Sequence, residues 1–339
     1  MIGHYWGTMM QMRKFAAASL TAALGVLLSS FVHGQSPAPR KPVHHAAPTM
    51  AKTPDGQPDI QGLWNSIDAF FTPLERPSKL AGRDNVSDEE LNDVLREEAQ
   101  RKVDGALTAG VGSYGREWYE YKEGRIDRRP SLVVDPPDGR IPPLTPWARE
   151  KTAFVRAHAT DSYEFLDPGD RCVTRGILGM MLPTFYNNGK QIVQARGYVS
   201  IMSEMIHDVR VIPVDGRSHA PAAVRSWTGD SRGRWEGNTL VVETTNFLPR
   251  DVLRGIRVQS ESLRMTERFT LVDSNTLMYR ATIDDPRVYT QPWTIEIPFK
   301  RDNDYRIFEY ACHEGNHAVE GILRGARVGE SAAAKRKQQ

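Results

Sequence analysis

A repeated strand–turn–strand pattern in the second half of the chain restricts the fold more than any other feature. Arg234-Trp235-Glu236-Gly237-Asn238-Thr239-Leu240-Val241-Val242-Glu243-Thr244 runs through a Gly-Asn turn, and Phe269-Thr270-Leu271-Val272-Asp273-Ser274-Asn275-Thr276-Leu277-Met278-Tyr279 repeats it, down to the Asn-Thr-Leu that leaves the turn. From about residue 190 onward, period-two alternation broken by regularly spaced turn residues predicts antiparallel strands. Trp293 to Lys300, an Asp302-Asn303-Asp304 turn, and Tyr305 to Tyr310 read as a third hairpin. Successive hairpins leave unpaired edges unless the sheet closes on itself. The expected architecture is therefore mainly β, an antiparallel up-and-down barrel of lipocalin type, with a two-sheet sandwich as the alternative.

The first half reads differently. Arg13 and Lys14 precede an apolar run from Phe15 to Val32, and Val32-His33-Gly34 supplies small residues at its end, so residues 1–34 read as a signal peptide. Ser19, Thr21, Ser29 and Ser30 interrupt the run and a Pro-rich stretch follows it, which favours cleavage over a membrane anchor. Residues 35–52 read as a flexible linker, and 53–170 as a wrapping segment with two helices. The capping box Ser87-Asp88-Glu89-Glu90, with Leu91, Val94 and Leu95 at helical spacing, predicts a helix over about 88–102. Thr145 followed by Pro146 predicts a second, burying Trp147, Phe154 and Val155 along one side. Five prolines between Asp135 and Pro146 force the intervening chain to run extended. The barrel is expected over 171–325 and a basic tail over 326–339, where Lys335, Arg336 and Lys337 crowd together.

The charge balance sets limits on partners. The 339 residues carry 44 Lys+Arg against 42 Asp+Glu, and the first 34 hold two of the bases, Arg13 and Lys14, and no acid. The mature chain is then neutral, which argues against a nucleic-acid partner, and it carries no expected membrane span. Export to the periplasm or beyond makes the two cysteines meaningful. Cys172 and Cys312 are expected to form a disulfide, with a free nucleophilic thiolate as the alternative.

Strand parity supplies the candidate site. Along an uninterrupted strand from Tyr198 to Ile212, His207 falls in register with apolar Val199, Ile201, Met205, Val209 and Val211, so it is expected to face inward. Glu267 shares a face with Met265, Phe269 and Leu271, and Tyr279 with Leu277, Ala281 and Ile283. His207, Glu267 and Tyr279 are thus candidate catalytic groups inside the barrel, where desolvation and neighbouring groups tune an imidazole and a carboxyl for acid–base work. The plainer reading is that these groups satisfy one another as buried polar residues. On the opposite parity lie Glu204, Asp208 and Arg210, which read as a solvated charge ladder or as ligand contacts; Trp293 is a further ligand-binding candidate. Two functions fit: binding of a small apolar or aromatic molecule in the interior, or cofactor-independent acid–base catalysis by the interior His and Glu.

Two motifs test poorly against their chemistry. His313-Glu314-Gly315-Asn316-His317 has the form of a zinc-hydrolase motif, but Gly315 disfavours helix and Asn316 suits a cap, so His313 and His317 should straddle a helix boundary. No metal and no other cofactor is expected. Gly229-Asp230-Ser231-Arg232-Gly233 precedes a strand rather than a helix, so it fails both as a phosphate cradle and as a nucleophile elbow; it reads as a turn under Trp235.

Pro58 to Trp64, Val134 to Arg140, Glu204-Met205-Ile206-His207-Asp208, Gly229 to Leu240, Asp284-Asp285-Pro286, Pro292-Trp293-Thr294 and Glu309 to Asn316 together resemble an uncharacterised family of exported bacterial proteins. The resemblance spans nearly all of the mature chain. It implies export and brings no assigned activity.

Overall fold

The computed structural model describes residues 51–83, 87–108, 129–249 and 258–338, so the expected signal peptide and most of the linker lie outside the described residues. In chain order the elements are β1 (Gly62–Asn65), α1 (Asp88–Thr108), β2 (Val133–Asp135), α2 (Pro146–Ala157), α3 (Gly176–Met181), β3 (Gly189–Ala195) and β4 (Tyr198–Ser203). There follow β5 (Val209–Pro213), β6 (Asp230–Glu236), β7 (Thr239–Thr245), β8 (Arg264–Asp273), β9 (Thr276–Asp284), β10 (Trp293–Arg301) and α4 (Ala318–Lys337). The strands form one sheet in the order β5-β4-β3-β1-β10-β9-β8-β7-β6, with β2 beside β10. Every pairing in it is antiparallel.

The sheet curls into a nearly closed barrel. Its two end strands approach each other at Gly233 in β6, where a Cβ atom would fall 3.0 Å from Ile212 and 2.8 Å from Val214, at the end of β5. Glycine there lets side chains of one strand pack on the backbone of the other, across a seam that carries no hydrogen-bonded ladder. Asp230 to Gly233, expected as part of a turn, therefore belongs to a barrel strand that continues into the expected strand Arg234 to Glu236. The turn expected at Gly237-Asn238 forms.

Alternation fills the interior. Ile192, Val199, Ile201, Ile212, Leu240, Val242, Met265, Phe269, Leu271, Leu277, Ala281, Ile295, Ile297 and Phe299 are buried in one continuous core. At roughly 25 cal/mol per Å² of apolar surface removed from water, burial of these side chains is the main force closing the barrel. The rings of Phe269, Tyr279 and Phe299 succeed one another with centroids 5.0 and 5.5 Å apart.

The N-terminal segment does more than wrap. Leu63 and Trp64 belong to β1, which is a stave of the barrel between β3 and β10. This placement also removes the third expected hairpin. One edge of β10 is taken by β9 and the other is divided between β1 and β2, so Tyr305 to Tyr310 finds no free edge and runs on as an unladdered strap. Both expected helices form. Ser87 accepts from the Glu90 amide at 3.2 Å at the start of α1. Thr145 accepts from the Ala148 amide at 3.2 Å at the start of α2. The buried stripe of α2 is Ala148 and Val155, seven apart; Phe154 lies off that stripe and is 47% exposed, contrary to expectation. Cys172 and Cys312 form the disulfide, with Cα atoms 5.7 Å apart.

Candidate functional site

Inside the barrel, Glu267 on β8 receives both terminal nitrogens of Arg210 on β5, at 2.7 and 3.0 Å, and the hydroxyl of Tyr279 on β9, at 3.0 Å. Arg210 and Glu267 expose 4% and 0% of their side chains. Burial works against the Arg210 charge, but the Glu267 carboxylate and its hydrogen bonds outweigh it and hold the guanidinium protonated beyond its ordinary range. Burial, then the Glu267 charge, pushes the Tyr279 phenol well up, so it stays a neutral donor. The Arg210 Nε atom is buried without a partner. Glu267 and Tyr279 thus face inward, as parity indicates, but against packed side chains and no solvent. The charge inside the barrel is an ion pair locked by a phenol.

Arg210 reached this place because the strand read as continuous is broken. A short detour, Glu204 to Asp208, separates β4 from β5; the Ser203 amide bonds the Asp208 carbonyl at 2.8 Å across its base. Ile206 and His207 adopt positive φ values of 62° and 46°. The detour reverses the parity. On β4 the odd residues Val199, Ile201 and Ser203 are buried, whereas on β5 the even residues Arg210 and Ile212 are, and Val209 and Val211 are 54% and 59% exposed. His207, expected to face inward, lies exposed outside the wall, and Arg210, expected outside, lies within. His207 and Glu267 therefore do not share a cavity, and the paired acid–base site expected of them is absent.

The detour instead holds the strap. Glu204, expected on a solvated ladder, is buried at 1% exposure. Its carboxylate accepts from the Gly189 amide (3.1 Å), the Tyr305 hydroxyl (2.6 Å) and the Phe308 amide (2.7 Å). His207 Nδ1 lies 2.9 Å from the Tyr310 carbonyl oxygen, which only accepts, so Nδ1 carries a proton and donates to it. Asp208 is half-buried and accepts from the Thr174 hydroxyl at 2.5 Å. Burial raises its carboxyl above the ordinary range, against the opposing pull of Thr174 and His207. The disulfide closes the same corner two residues beyond Tyr310.

The remaining candidates separate. Trp293 is fully buried and packs edge-on to Tyr289, ring centroids 5.7 Å apart, within the core. His313 lies in a turn and His317 at the N-cap position of α4, so both precede the helix, whose first amide, Ala318, is capped by the Asn316 side chain at 2.8 Å; among the described residues no cluster of His, Cys, Asp or Glu could hold a metal.

Sequence reading missed two constellations, the first assembled from distant segments and the second from residues 219–232. The first is a cleft of about 380 Å³ at the β3–β4 end of the barrel, beside the seam. It is lined by the hairpin-like loop 52–58 together with Tyr198, Val214 and Trp235. Gln194 stitches the loop to β3: its side chain accepts from the Ile60 amide at 2.8 Å and donates to the Pro58 carbonyl at 3.1 Å. The second is His219, whose Nδ1 lies 2.8 Å from Asp230. Partial burial opposes the Asp230 charge, but the Ala220 amide, His219 and Arg232 hold its carboxyl below the usual range.

No known family model matches the chain, and no curated protein matches it. Among solved structures, a secretary abundant heat soluble (SAHS) protein from Ramazzottius varieornatus aligns at 9% identity over 40% of this chain and 87% of its own, with a TM-score of 0.23. A likeness of that size carries no argument, and the barrel assignment rests on the strand order and register given above.

Proposed function

We propose that this is an exported small-molecule-binding protein whose ligand occupies the cleft at the barrel mouth, not the interior. The observation that carries the reading is the cleft itself: about 380 Å³, with an indole, a phenol and a polar loop among the groups that line it. That volume lies in the range of roughly 300–1,000 Å³ typical of small-molecule sites. Trp235 offers a flat face for an apolar or aromatic ring, and the loop offers polar groups for its rim. The interior is unsuited to a ligand, because Glu267 and Tyr279 are wholly buried in contact with protein and their hydrogen bonds are made within the chain. Export is supported by the N-terminal sequence pattern and by the disulfide, which persists in oxidising compartments.

Titration with 2-naphthol, by calorimetry and tryptophan fluorescence, tests the reading on the purified chain and on Trp235→Phe. The expected result is saturable one-to-one binding with quenching that Trp235→Phe largely removes. No saturable binding, or identical binding and quenching in Trp235→Phe, overturns it.

A further inference from the structure

We infer that the cleft takes an uncharged polyhydroxyl ring, a pyranose sugar, an inference that rests on the proposed binding role and names its ligand class. The polar side chains around the cleft fall into two sets. Gln61 and Gln194 are spent within the chain: Gln61 accepts from the Gln194 amide at 3.3 Å and donates to Asp59 at 3.3 Å, while Gln194 fastens the loop at Ile60 and Pro58. They fix the polar wall in place. Asp55, Gln57 and Arg196 line the same cleft, and their side chains make no hydrogen bond or ion pair among the described residues. These three supply an acceptor, a mixed donor–acceptor and a donor fork, all planar.

A purely aromatic ligand would use Trp235 alone and leave these three groups to solvent, so it gains nothing from them. An anion would meet Arg196 but also Asp55, and a cation the reverse. A neutral ring bearing several hydroxyls satisfies each group, since every hydroxyl both donates and accepts. The C–H face of a pyranose is flat and apolar enough to lie on the Trp235 indole, leaving its hydroxyl rim toward the loop. Tyr198, whose hydroxyl accepts from Arg217 at 2.7 Å, is held as a second fixed wall.

The experiment is calorimetric titration of the purified chain with methyl β-D-glucopyranoside, with cellobiose, and with 2-naphthol as a ring lacking the hydroxyl rim. It is repeated on Gln57→Ala and Arg196→Ala, which alter surface groups with no role in the core. At least one saccharide is expected to bind, and each variant to weaken it about 3- to 10-fold, as loss of one ligand hydrogen bond should, while 2-naphthol affinity stays within about 2-fold. If 2-naphthol binds through Trp235 and neither saccharide does, the ligand class is overturned and the binding site stands. If neither kind of ligand binds, both fall. Saccharide binding that both variants leave unchanged places the sugar elsewhere and overturns the inference.

Discussion

Arg210→Met is the most demanding test of how the interior is held together. Methionine matches the length of the arginine stem, so the substitution deletes a charge and two hydrogen bonds of 2.7 and 3.0 Å while leaving little void. Glu267, wholly buried, then retains only the Tyr279 hydroxyl. Removing one member of such a buried pair costs about 3–5 kcal/mol, chiefly because the other charge is left uncompensated. For a unit of this size that corresponds to a fall in Tm of roughly 6–20 °C. Replacing the whole group with Arg210→Met, Glu267→Leu and Tyr279→Phe removes the orphaned charge and the hydroxyl together, and is expected to recover most of the loss. Thermal unfolding by circular dichroism, checked by urea titration, measures both. A fall of less than about 3 °C in Arg210→Met, or a triple variant less stable than the single one, refutes the reasoning.

Other substitutions probe the remaining devices. His207→Ala removes an exposed ring and one bond to the Tyr310 carbonyl, so urea unfolding should show a loss of about 1 kcal/mol or less; a loss near 3 kcal/mol would mean that the ring is packed. Reduction of Cys172–Cys312, a link spanning 140 residues, should cost about 5 kcal/mol on the chain-entropy account, read from Tm with and without reductant. Gly233→Ala forces a methyl against Ile212 and Val214 and should cost about 1–3 kcal/mol, with hydrogen exchange accelerated first in β5 and β6. Burial raises the Asp208 carboxyl, so the folded state binds that proton more tightly than the unfolded chain does. Its contribution therefore improves as pH falls through the carboxylate range and worsens as pH rises, and Asp208→Asn should stabilise the protein at pH 7 and flatten the pH dependence of its urea midpoint.

What the sequence disclosed and what it hid follow from the range of the signals. The hairpins β6–β7 and β8–β9 were legible because turn residues and alternation lie within one short window, and the inward faces of Glu267 and Tyr279 followed directly. The detour at Glu204–Asp208 was not. Its residues carry no glycine or proline, and Ile206 and His207 adopt a left-handed backbone that their side chains do not announce. Apolar residues sit at both parities from Val199 to Ile212, so a reversal left the pattern looking continuous, and His207 and Arg210 were exchanged across the wall. Gly233 misled in the other direction, marking a close approach between strands where a turn was expected. The four residues of β1 are too few to show a period. The cleft draws on the loop 53–57, the β3–β4 turn, Val214 and Trp235, and no local window contains such a site.

Amide chemical-shift mapping of the chain with a bound ring ligand tests the central claim most directly, because it locates the ligand without assuming any residue's role. Shifts confined to residues 53–57, 194–199, 214 and 235 are the expected result. Shifts centred on Glu267, Tyr279 and the inner faces of β8 and β9, with the mouth unperturbed, would place the ligand in the interior and contradict the account.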